Sequence, residues 1–234
     1  MEQKFEYFEK SRNLKSNYYV NDKGEKEGIY VEFSEDGFVQ KMLTYKNNIK
    51  QGEYREYSKY GKLKEIGTYQ NGVKTGEVTK IIANGALKGV QENGILQGDS
   101  IFCSKHADGK LKDKIYLRDN KIVGAKIFDR QGNLKKQIKR FYENKNIIDE
   151  FINYGDQYIE KGTMVNFKLE GIFQRYLTED NSLYQELNYQ NGKLKEEKLY
   201  RNRELIQSKK TEKSKVNEKP LKIRERTRTR GQER

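Results

Sequence analysis

Tryptophan is absent from this chain, and proline, cysteine and histidine occur once each. A single cysteine, Cys103, excludes an internal disulfide framework. A single proline excludes a proline-rich linker. Long apolar runs are missing too, and nothing approaches the ~18 consecutive apolar residues of a membrane span. The opening MEQKFEYFEK contains no apolar core, so no signal peptide is expected and a soluble, cytoplasmic protein is the default. No phosphate-binding loop, dinucleotide-binding glycine fingerprint or HExxH pair is present. His106 follows Cys103 by three residues, but a Cys-x-x-His pair supplies two ligands where a structural zinc site needs about four. Asp99 or Asp108 could join them, yet a polar histidine beside an Ala-Asp-Gly turn is an ordinary surface residue. No cofactor, metal or catalytic constellation is therefore expected, and no enzymatic activity.

What is abundant points elsewhere. Charged residues make up 35% of the 234 residues and hydrophobic ones only 33%, a balance that by itself would permit disorder. Against this stand 17 Tyr and 10 Phe. Tyrosine buries a ring while keeping its hydroxyl wet, which suits thin structures without a deep core. The 20 glycines recur at intervals. The net charge of +13 is uneven: residues 207–234 contribute +7, leaving +6 for all the rest.

The glycines set the frame. GIYVEFSEDG begins at Gly28, GEYREYSKYG at Gly52, GEVTKIIANG at Gly76 and GDSIFCSKHADG at Gly98; AKIFDRQG follows Gly124, and GIFQRYLTED begins at Gly171. The spacings are 24, 24, 22 and 26, then 47, which is two units. DEFINYGD near Asp149 fits without its leading glycine, and KFEYFEKSRN fits with Lys4 in the glycine place. About eight units of two strands thus cover residues 1–206, and a periodicity of this length signals a repeat architecture. Within each unit an alternating run ends in a turn such as EDG (35–37), KYG (59–61) or ANG (83–85). A second run then ends in QNG (70–72), ENG (92–94) or QNG (190–192). Asn-Gly and Asp-Gly supply the positive φ of tight hairpins, so Gly61, Gly72 and Gly85 are expected to close turns. KLKEEKLYRNRELI has helical character, but its place in the frame favours strand.

GEYREYSKYGKLKEIGTYQNGVKTG (52–76) and GIYVEFSEDGFVQKMLTYKNNIKQG (28–52) resemble the bacterial variant of the MORN (membrane occupation and recognition nexus) repeat. The frame covers nearly nine-tenths of the chain. The resemblance implies an all-β, MORN-like solenoid: successive antiparallel hairpins forming an elongated, twisted, single-layer sheet. For function it implies binding. Bacterial proteins of this kind are often labelled antitoxins or immunity proteins, and eukaryotic relatives act as scaffolds associated with membranes. The lack of Trp departs from the eukaryotic pattern. Units near 84–98 and 149–171 are irregular, so a bent or bulged sheet is expected there.

Tyr30, Tyr54, Tyr57, Tyr69 and Tyr176 belong to the most repetitive feature. Either they pack against their equivalents one unit away, or part of the ladder forms an aromatic binding surface. Tyr54 and Tyr57 are three apart and so face opposite sides of a regular strand. Residues 207–234 break the frame, read as a disordered basic tail, and carry Arg224, Arg226, Arg228 and Arg230 in alternation, a pattern suited to phosphate or carboxylate contacts. The expected function is that of a non-enzymatic antitoxin, immunity or inhibitor protein that occludes a partner protein such as a toxin or nuclease-like enzyme. The alternative is an RNA- or ribonucleoprotein-binding protein using the tail and a Lys-rich surface, such as a phage-type inhibitor of a nucleic-acid-cutting defence enzyme.

Overall fold

The computed structural model of the protein describes residues 1–211. They form one open antiparallel sheet with no helix among them. In chain order the strands are β1 (Glu2–Tyr7), β2 (Leu14–Val20), β3 (Lys26–Phe33), β4 (Val39–Lys46), β5 (Ile49–Lys50), β6 (Gly52–Tyr57), β7 (Leu63–Gln70), β8 (Val73–Ile82), β9 (Gly85–Glu92) and β10 (Ile95–Lys105). There follow β11 (Leu111–Arg118), β12 (Lys121–Phe128), β13 (Leu134–Glu143), β14 (Asn146–Tyr154), β15 (Tyr158–Val165), β16 (Lys168–Leu177), β17 (Leu183–Gln190), β18 (Lys193–Arg201) and β19 (Glu204–Lys210). Each pairs with the next in sequence, except that β5 and β6 both pair with β4 as two parts of one passage. The segment with helical character is the β18–β19 hairpin. The last strand runs to Lys210, beyond the residue 206 expected for the end of the repeats.

Local chemistry explains the connections. On one side of the sheet two-residue turns close the hairpins, with both residues at positive φ: Asn71-Gly72 (51° and 83°), Asp119-Asn120 (48° and 61°) and Asn166-Phe167 (49° and 66°) among them. Such turns match the twist of paired strands, and Asn tolerates the conformation better than other non-glycine residues. On the other side the turns are longer. Gly37 N donates to Ser34 O at 2.9 Å, and Ser34 N donates to Phe38 O at 2.7 Å. Gly61 and Gly72 have the expected positive φ of 73° and 83°. Gly85 does not. It opens β9, and Ala83 takes the positive φ (44°) instead. Gly85 is glycine for another reason: a Cβ there would lie 2.5 Å from Cys103 O on β10.

The glycines of the 24-residue frame host bulges. Between β4 and β6 the pairing moves from Tyr45↔Lys50 to Met42↔Arg55, and Gly52 in the interval has φ +89°. Equivalent shifts accompany Gly76, Gly98 and Gly171. The expectation of irregularity across 149–171 is therefore corrected in part. Pairing is unbroken along β13–β14 and β14–β15, because Asp149 stands where the bulge glycine would be. The bulge expected near 84–98 is present at Gly98, and within 149–171 the register shifts between Lys161 and Thr163.

Alternation divides the sheet into two faces. Face A carries Tyr30, Leu43, Tyr54 and Tyr69 in the first half and Phe151, Phe173 and Leu187 in the second, in two clusters of buried side chains. Room for the rings comes from glycines on neighbouring strands. A Cβ on Gly67 would meet the Tyr54 hydroxyl oxygen at 2.7 Å, and one on Gly162 would meet Phe173 at 2.9 Å and Phe151 at 3.1 Å. Among the described residues only eight hydrophobic side chains are buried. A single layer has no thick core, so stability is close to a sum of contacts between neighbouring strands.

Candidate binding surface

The tyrosine ladder belongs to face A. Tyr30 lies between Tyr18 and Tyr45, with ring centroids 5.7 Å from each, and the Lys26 ammonium sits 4.6 Å from the Tyr18 and Tyr30 rings. Tyr54 packs on Tyr69 at 4.9 Å. Its hydroxyl donates to Glu65 and accepts from Gln91 Nε2 at 3.0 Å. Lys74 Nζ lies 2.9 Å from both Glu56 Oε1 and Glu65 Oε1, and 4.4 Å from the Tyr54 ring. Burial pushes the Tyr54 hydroxyl up to about 12, and the hydrogen bond to Glu65 acts in the same direction. Burial would also raise Glu65, but hydrogen bonds from Tyr54 and Lys74 outweigh it and hold the carboxyl below its usual range. Lys74 is held above its usual value by its two glutamates, against the opposing effect of burial.

Two of the expected contact residues are thus corrected. Tyr54 is 0% and Tyr69 8% exposed, because their positions point to the packed face and their rings fill the space left by neighbouring strands. Tyr30 is half-buried in the same ladder. Tyr57 and Tyr176 are half-buried on the opposite side, face B. The opposite orientation of Tyr54 and Tyr57 follows the expected parity. Tyr57 Oη donates to Met42 Sδ at 3.5 Å, and Tyr176 Oη donates to Gln174 Oε1 at 2.8 Å. Arg224, Arg226, Arg228 and Arg230 lie outside the described residues. His106 Nε2 is 3.1 Å from Phe128 O, and no group of three metal-ligating side chains occurs among the described residues.

Charge separates the faces further. On face A several acids and bases satisfy each other: Arg140 makes two hydrogen bonds to Asp149 at 2.6 and 2.7 Å, Arg175 Nε is 2.8 Å from Glu160, and Lys74 bridges two glutamates, while Lys26, Lys50 and Lys136 lie over aromatic rings. Face B is open. Its first half is apolar. Phe5, Tyr19, Ile29, Met42, Tyr57 and Ile66 lie on strands β1 to β7, with Phe5 50% and Ile29 56% exposed. Ile29, Met42 and Thr44 border a shallow groove of about 190 Å³ whose far wall is the Arg55–Glu53 ion pair. Its second half is basic. Lys88, Lys114, Lys126 and Lys139 point from β9, β11, β12 and β13, and none has a carboxylate within 4.0 Å among the described residues. These face-B residues, other than Tyr57, are not picked out by the repeated aromatics. The signal was present in the opposite phase, at the positions next to each ladder tyrosine.

No protein-family model matches the chain, and no curated protein matches it. No helix among the described residues is long and apolar enough to cross a membrane.

Proposed function

We propose that this is a non-enzymatic, MORN-type hairpin-repeat protein of the antitoxin, immunity or inhibitor kind, acting in the cytoplasm by laying face B of its sheet over the active surface of a partner protein. The observation that carries the reading is the apolar stripe on the first half of face B. A stripe of large apolar side chains, more than half exposed at Ile29, is a protein contact surface more often than a solvated one. It sits on a sheet whose other face is already filled, so it is preformed and loses little entropy on docking. Aromatic and Met side chains are enriched at such contacts.

The test is capture of partners from nuclease-treated extract of the native cell, comparing the wild type with Ile29→Lys/Met42→Lys. One partner retained in stoichiometric amount by the wild type, and lost by the double variant with its strand spectrum intact, is the expected result. Equal capture by both sinks the assignment of the stripe.

A further inference from the structure

We propose that the second half of face B, across β10–β16, is a track for single-stranded RNA. This goes beyond the protein contact above and rests on different residues. Lys114 and Lys126 stand directly opposite each other on β11 and β12. Like charges in that relation destabilise a sheet, and among the described residues no carboxylate within 4.0 Å relieves them. Lys139 has no carboxylate within 4.0 Å among the described residues, although Glu150 stands opposite it on β14. The Lys114–Lys126 pair is therefore a point of uncompensated positive charge among the described residues, and an anion completes it.

The shape of the surface narrows the anion. In one cross-strand row Tyr116, Gly124 and Lys139 are neighbours. A Cβ on Gly124 would lie 2.9 Å from Ile138 O and 3.8 Å from the Tyr116 ring, so the position stays bare and the surface dips. The resulting groove, about 350 Å³, is walled by Ile101, Tyr116, Lys126, Gln137 and Lys139. It runs into a second of about 330 Å³ that shares Gln137 and Lys139 and continues past Glu150 to Lys161 and Thr163. The Tyr116 ring, with the Lys114 ammonium 5.4 Å from its centroid, stands beside a dip flanked by Lys126 and Lys139 and offers a stacking wall for a base and contacts for its phosphates. Gln137 and Thr163 side chains make no hydrogen bond within the described residues, and both donate and accept, as a ribose 2′-hydroxyl requires. A duplex keeps its base faces stacked and cannot use Tyr116. Six strand spacings from β10 to β16 make a track of about 29 Å, the length of ~8 stacked nucleotides.

The experiment is fluorescence anisotropy with the full chain and a labelled oligouridylate of about ten nucleotides. Alongside it run the matching deoxyoligonucleotide, an RNA duplex and a polyglutamate peptide. The expected result is binding of the single-stranded RNA above the other three. Lys126→Gln/Lys139→Gln should weaken it about tenfold and flatten the plot of log affinity against log salt by about 1.4, since each lost phosphate contact on a single strand removes ~0.7. Tyr116→Ala should weaken binding with the slope unchanged. Lys126→Gln alone should raise the thermal midpoint without RNA by relieving the like-charge pair, so a lost fold does not account for lost binding. All variants keep residues 212–234, and unaltered RNA affinity in the double lysine variant overturns the proposal. Equal affinity for the deoxyoligonucleotide, the duplex or polyglutamate overturns it as well. The lysine variants leave Ile29 and Met42 intact, so this outcome is separable from that of the protein-capture test.

Discussion

Tyr54 shows how one side chain is spent in a single-layer sheet. Its ring fills the space over Gly67, its hydroxyl joins Glu65 to Gln91, and Lys74 covers its outer side. Nothing remains for a partner. Tyr54→Phe should cost about 1–3 kcal/mol, because Gln91 and Glu65 lose a buried hydrogen-bond partner and the ring space stays filled. The pH dependence has two limbs. Tyr54 titrates at about 12 instead of its ordinary 10.0, so its contribution is complete below pH 10.0 and lost as pH rises towards about 12. Lys74, also shifted upward, acts in the same direction. Glu65 is shifted downward from 4.5, so its contribution is present above that value and lost as pH falls through its lowered one. Denaturation midpoints measured across pH should therefore show a plateau with an alkaline decline, shallower in Tyr54→Phe. An alkaline limb identical in the two proteins contradicts the assignment. The sequence made the ladder visible, and parity separated Tyr54 from Tyr57. Parity cannot say which face is packed. That depends on where the neighbouring strand has a glycine, and Gly67 and Gly162 fall in the second runs, outside the frame set by the leading glycines.

At the scale of strands and turns the repeat was legible because its punctuation is chemical. Asn-Gly pairs and the Gly37-type turns each demand a positive φ that few residues accept. The error at Gly85 has a physical origin. Ala-Asn-Gly looks like a turn closed by glycine, but the two-residue connection leaves Gly85 in the ladder, where the approach of Cys103 O forbids a side chain. The two kinds of glycine should respond differently to substitution. Gly72→Asn keeps a residue that tolerates positive φ and should cost little, whereas Gly72→Val should cost about 1–3 kcal/mol through backbone strain. At Gly85 φ is not positive, so Asn offers no relief: Gly85→Asn and Gly85→Ala should both be costly, because each adds the same Cβ against backbone. Equal responses to Asn at the two sites contradict the distinction. Strands contact mainly their neighbours in sequence, so hydrogen exchange in Gly72→Val should accelerate in β7 and β8 and stay unchanged in β16–β18. Uniform acceleration along the chain is the result that refutes nearest-neighbour stability. The bulges were harder to foresee. Those that interrupt the 24-residue frame arise from the same glycines that define the period, and the unit that lost its glycine at Asp149 pairs without a register shift. There the carboxylate, buried to 3% side-chain exposure, is held by Arg140 across the strand pair.

For the molecule as a whole, length and charge decide how a partner is met. Counting β5 and β6 as one passage, the strands make eighteen passages where the period alone indicated about sixteen. At ~4.8 Å per spacing the sheet is about 80 Å long. Small-angle scattering should give a radius of gyration well above the ~17 Å of a compact domain of this size, and a value near that figure would exclude an open sheet in solution. Along this length the apolar and basic halves lie on the same face of the sheet, so one partner with protein and RNA parts engages both by following that face. Residues 212–234 add nine Lys and Arg against four Glu. Charge at this density acts at a distance and raises encounter rates, whereas short-range apolar contacts set how long a complex lasts. Because β19 runs to Lys210, a truncation that tests the segment must begin at residue 212 and leave the last strand whole. Against a captured protein partner, that truncation should slow association and lower its salt sensitivity while dissociation stays nearly constant. Ile29→Ala or Tyr57→Ala should instead speed dissociation, by about tenfold for a side chain contributing ~1.4 kcal/mol, with association almost unaffected. Surface-based kinetics at low and high salt separates the two effects. Should truncation abolish binding at every salt concentration while Ile29→Ala and Tyr57→Ala leave dissociation untouched, the sheet would be a spacer and the basic segment the binding element.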